Sequence, residues 1–196
     1  MSMPIVEKVL DHQCKKCQLC KSSKHVCIGG KGDPLTTSIM LIGEAPGRAE
    51  ENTGQPFMGR AGKLLDQLIS NVGLYEHCYI SNAVHCRPPE NRKPTEGEII
   101  ACRQYLVAEI KLVKPRIIVL MGKTAIEALE LITSRRMGRA GEPPFMIQRI
   151  FGMNNVWFIP TWHPAYCLRR GEGATNDLRR ALSRAQALLI GIKSSL

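Results

Sequence analysis

The segment "SIMLIGEAPG" (Ser38 to Gly47) runs from an apolar stretch into a turn with a glycine at each end and a carboxylate, Glu44, between them. A Gly-rich turn after a strand exposes backbone N–H groups that can cradle a phosphate. Here there is no G-x-G-x-x-G, no Lys-Ser/Thr follows, and Glu44 would put negative charge where the phosphate should sit. The turn therefore reads as a cradle for something uncharged. Two more polar groups stand where apolar stretches end, Asn82 in "YISNAV" and His163 in "TWHPAY".

A second set of reactive side chains is the cysteines, eight in 196 residues. In a reducing compartment a disulfide framework is the poorer explanation and a metal the better one. Cys14-x-x-Cys17 is a two-residue chelate loop, with Cys86 and Cys102 following on a loop and a helix start. Four thiolates suit either a [4Fe–4S] cluster or Zn²⁺. Zinc sites usually pair two short chelate loops, but spacing alone does not decide between the two. In "CKKCQLC", Cys20 is an alternative to Cys17, and Cys27, Cys78 and Cys167 are left as ordinary thiols.

The elements that must carry these groups follow from periodicity. "PIVEKVLDHQ" has helical spacing. Strand Ser38 to Ile42, helix Ala61 to Val72 and strand Tyr79 to Val84 come next, then the Pro-rich loop "CRPPENRKP". Thr95 with Glu98 forms a capping box for a helix that Pro115 ends. "RIIVLMG" is a strand, "KTAIEALELI" a helix, and "MIQRI" and "VWFIP" further strands. "TWHPAYCLRRGEG" reads as a loop, and Thr175 to Ile192 as the closing helix. Strands apolar throughout, such as "SIMLI" and "RIIVLM", are expected where helices cover both faces of a parallel sheet, which makes an α/β/α sandwich. Ligands of such sheets bind beyond the carboxyl ends of the strands. The three segments "GEAPG", "SNAVHC" and "TWHPAY" all sit there, so the site should be built from them.

The length suits one domain, taken as residues 1–196 with an N-terminal Cys-rich segment, and no linker, repeat or low-complexity tract interrupts it. The formal charge of +10 favours a polyanionic partner. No apolar run is long enough to span a bilayer, and "MSMPIVEKVLDHQ" lacks the apolar core of a signal peptide, so a cytoplasmic protein without a membrane partner is expected.

Read together, "CKKCQL", "GEAPGRAEENTGQPFMGRAGKLLD", "YISNAVHCRPPENRKPT", "ACRQYL", "PRIIVLMGKTA" and "WHPAYCLR" resemble, in order and over nearly the whole chain, the uracil-DNA glycosylase superfamily. The resemblance is to family 4 in particular, the iron–sulfur uracil-DNA glycosylases. It implies a three-layer α/β/α sandwich around a four-stranded parallel sheet, and a monomer that removes uracil from uracil-containing DNA. It also tips the metal to [4Fe–4S], with Cys14, Cys17, Cys86 and Cys102 as ligands. The sequence itself specifies no sliding clamp or other repair partner.

The resemblance assigns roles residue by residue. An enzyme that acts on a base within a duplex must flip the nucleotide into a pocket. "GEAPG", with Gly43, Ala45 and Gly47, would be one wall. Other superfamily members carry an Asp where this chain has Ala45, which leaves Glu44 as the carboxylate that orients water or stabilises the sugar cation. His163 falls on the uracil O2 side, Asn82 matches the uracil-reading Asn, and Phe57 in "GQPFMG" matches the stacking aromatic. Gly47 stands where some members have a Tyr that blocks the thymine methyl. After His163, a side chain from Tyr166 to Arg169, Leu168 included, would fill the gap left by the flipped base, and Arg169 and Arg170 would bind phosphate. Arg87, Arg92, Lys93, Arg135, Arg136 and Arg139 are further basic candidates.

Two other readings compete. A zinc-stabilised nucleic-acid-binding module without catalysis would explain charge and cysteines, but not three polar groups at strand ends. A relative in the same superfamily that links covalently to uracil-DNA carries an extra His-containing loop after the second motif. "CRPPENRKPTEGE" has no His, and His85 is the nearest one to it.

Overall fold

A computed structural model describes residues 9–194. Five strands form one sheet in the order β2-β1-β3-β5-β4, with β1 at Ile39–Gly43, β2 at Cys78–Asn82, β3 at Ile117–Met121, β4 at Phe145–Ile150 and β5 at Met153–Thr161. The first three strands are buried along their whole length, and β2, β1, β3 and β5 run parallel. Side chains alternate between the faces. Ile39 and Leu41 of β1 pack toward α3 (Arg60–Asn71) and α7 (Glu172–Lys193), whereas Met40 and Ile42 pack toward α4 (Glu96–Val113) and α5 (Lys123–Thr133). The α/β/α sandwich is thus present, with one core on each side of the sheet.

The expected four-stranded parallel sheet needs one correction. The four parallel strands are joined by β4, which pairs antiparallel with β5 at the edge. Phe151 and Gly152 both take positive φ, 53° and 78°, between the paired Ile150 and Met153. A two-residue turn of that hand closes a hairpin, so the added strand can only run antiparallel.

"TWHPAYCLRRGEG" also differs from expectation, because its centre is helix α6 (Pro164–Arg170) and not a loop. His163 is its N-cap and Pro164 its first residue, where a missing N–H costs nothing and the fixed φ suits a helix. Gly171, at φ 81°, separates α6 from α7, which begins three residues earlier than Thr175. The Thr95–Glu98 capping box is present at the start of α4. Of the helix expected over "PIVEKVLDHQ", residues 4–8 lie outside the described residues, and residues 10–13 are not helical. A short helix α1 (Leu19–Ser22) lies in the Cys-rich segment, and α2 (Arg48–Thr53) follows the "GEAPG" turn.

Candidate active site

From β1 the chain crosses to β2 on one side and then to β3 on the other, so the loops after β1 and β3 diverge and leave a crevice between them. Glu44 leaves β1 at that crevice. Its Oε2 accepts a 2.5 Å hydrogen bond from Thr124 Oγ1, in the first turn of α5 just after β3, and Thr124 is buried. The backbone is fixed as well, since Ala83 N–H donates to Gly43 O and Val84 N–H to Glu44 O. Thr124 was not among the residues singled out by sequence. Its part in the site is visible only once β1 and β3 are known to be neighbours.

Asn82 ends β2 and is buried, and its Oδ1 has no hydrogen-bond partner among the described residues. The same holds for His163 Nε2. His163 Nδ1 accepts from the Ala165 backbone N–H at 3.1 Å, so the ring proton of the neutral imidazole sits on Nε2. Burial, helped by the Arg169 charge and opposed by Glu50, pushes the His163 pKa down to about 4. Leaving a buried polar atom unpaired costs about 1–3 kcal/mol. Both residues line one cavity, from which these two atoms could be paired.

That cavity, of about 370 Å³, is lined by Glu44, Ala45, Gly47, Phe57, Asn82, His163 and Arg169, among others. The Phe57 ring lies 5.9 Å from that of His163 and is buried. Phe57 has φ 55°, a left-handed conformation that strains a residue with a side chain by about 1–3 kcal/mol and tends to occur at functional sites. Gly43 permits this approach, since a Cβ there would lie 2.5 Å from Phe57 Cζ and 2.7 Å from Asn82 Oδ1. Glu50 is a further residue that sequence reasoning missed. Its carboxylate accepts from Gly47 N on one oxygen and from Met58 N and Gly59 N on the other, so it ties the "GEAPG" turn to the Phe57 loop.

On α6, Leu168 is 43% exposed, and Arg169 and Arg170 are exposed beside it. Tyr166 stacks on Trp162 at 4.7 Å, and the Arg170 guanidinium lies over the Tyr166 ring. The other basic candidates divide. Arg87 pairs with Glu51, Arg92 with Glu98 through two parallel bonds, Lys93 with Glu127 and Arg136 with Glu142. The Glu98 carboxyl is held down at about 2, chiefly by its bond from Arg92. These four charges are committed within the protein, whereas among the described residues Arg169 has no ion pair.

The four expected cysteines gather around a second, closely packed cavity, and Cys20 and Cys27 line it too. Among the described residues no three His, Cys, Asp or Glu side chains converge on a single-ion site. The donors suit thiolates: the backbone N–H of Cys27 points at Cys86 Sγ and that of His85 at Cys102 Sγ, each at 3.3 Å. His85 is buried against Glu109, 3.0 Å away, and does not line the cavity that holds Glu44 and Asn82.

The fold and the cavity describe an α/β/α protein with a polar-lined cavity at the switch point of its sheet. Residues 30–186 match the family model "Uracil DNA glycosylase superfamily". The chain is 36% identical over 181 residues to a type-4 uracil-DNA glycosylase of Thermotoga maritima, covering 88% of this chain and 87% of that one. It is 41% identical over 160 residues to a type-4 uracil-DNA glycosylase of Saccharolobus solfataricus, covering 80% and 73%. A type-5 uracil-DNA glycosylase of Thermus thermophilus is 37% identical over 118 residues, covering 52% and 53%. The chain belongs to the uracil-DNA glycosylase superfamily, within its type-4 family.

Proposed function

We propose that this chain, acting as one catalytic domain, excises uracil from DNA by hydrolysing the bond between the base and its sugar, leaves an abasic site, and does not cut the backbone. The observation that carries this is the pair of buried, unpartnered atoms in one cavity, Asn82 Oδ1 and His163 Nε2. Uracil offers an N3–H to the first and a carbonyl O2 to the second. The Asn82 amide can also donate to O4, a pattern that cytosine reverses. Phe57 supplies an aromatic face, worth about 1–3 kcal/mol against a base.

Breaking the C1′–N1 bond develops positive charge on the sugar and negative charge on uracil, and the site must stabilise both. His163 stays neutral well below physiological pH and keeps its Nε2 proton, so Nε2–H can donate a hydrogen bond to the O2 of the departing uracil anion. Glu44, with Oε2 held by Thr124, has Oε1 left to orient a water or to face the sugar cation. Water gives its hydroxide to C1′ and a proton to the uracil anion, which balances the hydrolysis. Leu168 is the exposed apolar side chain suited to fill the vacated stack, and Arg169 and Arg170 are the charges suited to the flanking phosphates. Tyr166, held between Trp162 and Arg170, stiffens that surface.

A [4Fe–4S] cluster fits Cys14, Cys17, Cys86 and Cys102, which line one cavity, with backbone N–H groups directed at the sulfurs of Cys86 and Cys102. When bound it supplies a cross-link and no reacting group. The segment it ties down reaches the active site through α2, because Glu51 accepts from Lys24 N and from Arg87, and Ser23 donates to Arg87 O. The burial of His85 away from the pocket favours turnover over covalent capture. No helix among the described residues is long and apolar enough to cross a membrane, and we take the chain to work on DNA in the cytoplasm as a monomer.

The test uses an oligonucleotide with a single uracil, incubated with the pure protein. The expected product is broken by hot alkali and intact before it, while the matching thymine strand is untouched. Breakage before alkali would contradict the monofunctional reading, and an unchanged strand would contradict excision.

A further inference from the structure

Tyr105 stands on α4 three residues after Cys102, so the two side chains share a face of the helix, together with Ile99. That face is buried with the Cys-rich segment, in one cluster that includes Cys14, Leu19, Cys27 and Cys86. Tyr105 is 5% exposed, and its Oη has no hydrogen-bond partner among the described residues. A buried tyrosine hydroxyl usually finds a partner, because an unpaired polar atom forfeits the bonds it made to water. An apolar wall alone would be served by phenylalanine, so the hydroxyl asks for a reason.

The surrounding cavity supplies one. Tyr105 lines it with Cys14, Cys17, Cys86 and Cys102, and its ring packs 5.9 Å from that of His85. Of the other polar side chains there, Lys16 can only donate, and the His85 nitrogens are turned to Glu109 and Cys102. The side-chain acceptors that remain are sulfurs. Among the cysteines, Cys14 acts most strongly on the Tyr105 hydroxyl. A thiolate or sulfide can only accept a proton and the phenol carries one, so the direction of such a bond is fixed. An O–H group facing an anionic acceptor makes the stronger, charge-assisted kind of bond. Hydrogen bonds to cluster sulfurs draw charge from them and favour the electron-rich reduced state.

We propose that Tyr105 donates a hydrogen bond from Oη to a cluster sulfur on the Cys14 side and thereby raises the reduction potential of the cluster. The inference rests on the cluster reading above. Tyr105 is a tuning residue that acts on the cluster and touches no substrate.

The test is a redox titration of the anaerobically purified holoprotein, Tyr105→Phe against wild type, with iron and sulfide content measured alongside. The substitution removes one oxygen and keeps the ring, so the variant should hold a full cluster, and its potential should move to a lower value. A full cluster with an unmoved or higher potential would mean that the hydroxyl stays unpaired, and would overturn this inference alone. Should Tyr105→Phe fail to hold its cluster, wild-type protein with ¹⁷O-labelled tyrosine hydroxyls decides. With the cluster poised in a paramagnetic state, a magnetic coupling to a phenol oxygen is expected, and its absence overturns the proposal. Wild-type protein with zinc and no iron would overturn both this inference and the cluster reading.

Discussion

Lowering the pH toward about 5 should destabilise the protein through His163 in particular. The imidazole has a pKa of about 4 in the folded protein, against an unperturbed value of about 6.5. Between these values the unfolded chain binds a proton that the folded protein refuses. The stabilisation is thus complete above about pH 6.5 and is lost as the pH falls toward about 4. The full span of about 2.5 pK units corresponds to about 3 kcal/mol, of which about 2 kcal/mol is lost between about pH 7.5 and pH 5. The assay is urea unfolding at the two pH values for wild type and His163→Gln. Acid sensitivity from other groups is common to both proteins, so the difference between their losses isolates His163. If His163→Gln loses as much stability as wild type, the imidazole is not held neutral, and the case for Nε2–H as a fixed donor fails.

Three further outcomes follow from the same geometry. Glu44→Gln should bind uracil-DNA normally but slow single-turnover excision by about 10²–10⁴-fold, the span for a positioned acid or base; a near wild-type rate would reduce "GEAPG" to a wall. Asn82→Ala should slow excision and also narrow the preference for uracil over cytosine, measured on paired oligonucleotides; a lower rate with unchanged preference would remove Asn82 as the reader of the base edge. Arg169→Ala should flatten the dependence of log binding constant on log salt by about one unit, and an unchanged slope would place Arg169 off the DNA.

Much of this was legible in the sequence, for reasons that differ by element. The apolar runs of β1 and β3 announce a sheet covered on both faces because nothing polar interrupts them. The strand-end positions of Glu44, Asn82 and His163 follow from where those runs stop. The helix α6 was missed because the short "PAYCLRR" carries no clear apolar period, although the pair His163-Pro164 held the N-cap signal. The antiparallel β4 was missed in orientation because Phe151 and Gly152 do not spell a usual hairpin turn. Thr124 and Glu50 were missed for another reason. Thr124 reaches Glu44 across 80 positions of sequence, and Glu50 bonds to backbone, which any sequence offers. Pairing also decides which charges are free. Arg87, Arg92 and Lys93 look like a basic loop in sequence, and their carboxylate partners appear only in three dimensions.

The most direct measurement of the central claim is the amount of free uracil released per molecule of protein from excess uracil-containing DNA. Catalytic hydrolysis predicts release well beyond one equivalent, with the protein recovered free of DNA. Release that stops at one equivalent, with DNA remaining bound to the protein in denaturant, would show capture in place of turnover. No release at all would show that the cavity around Asn82 and His163 serves some other ligand.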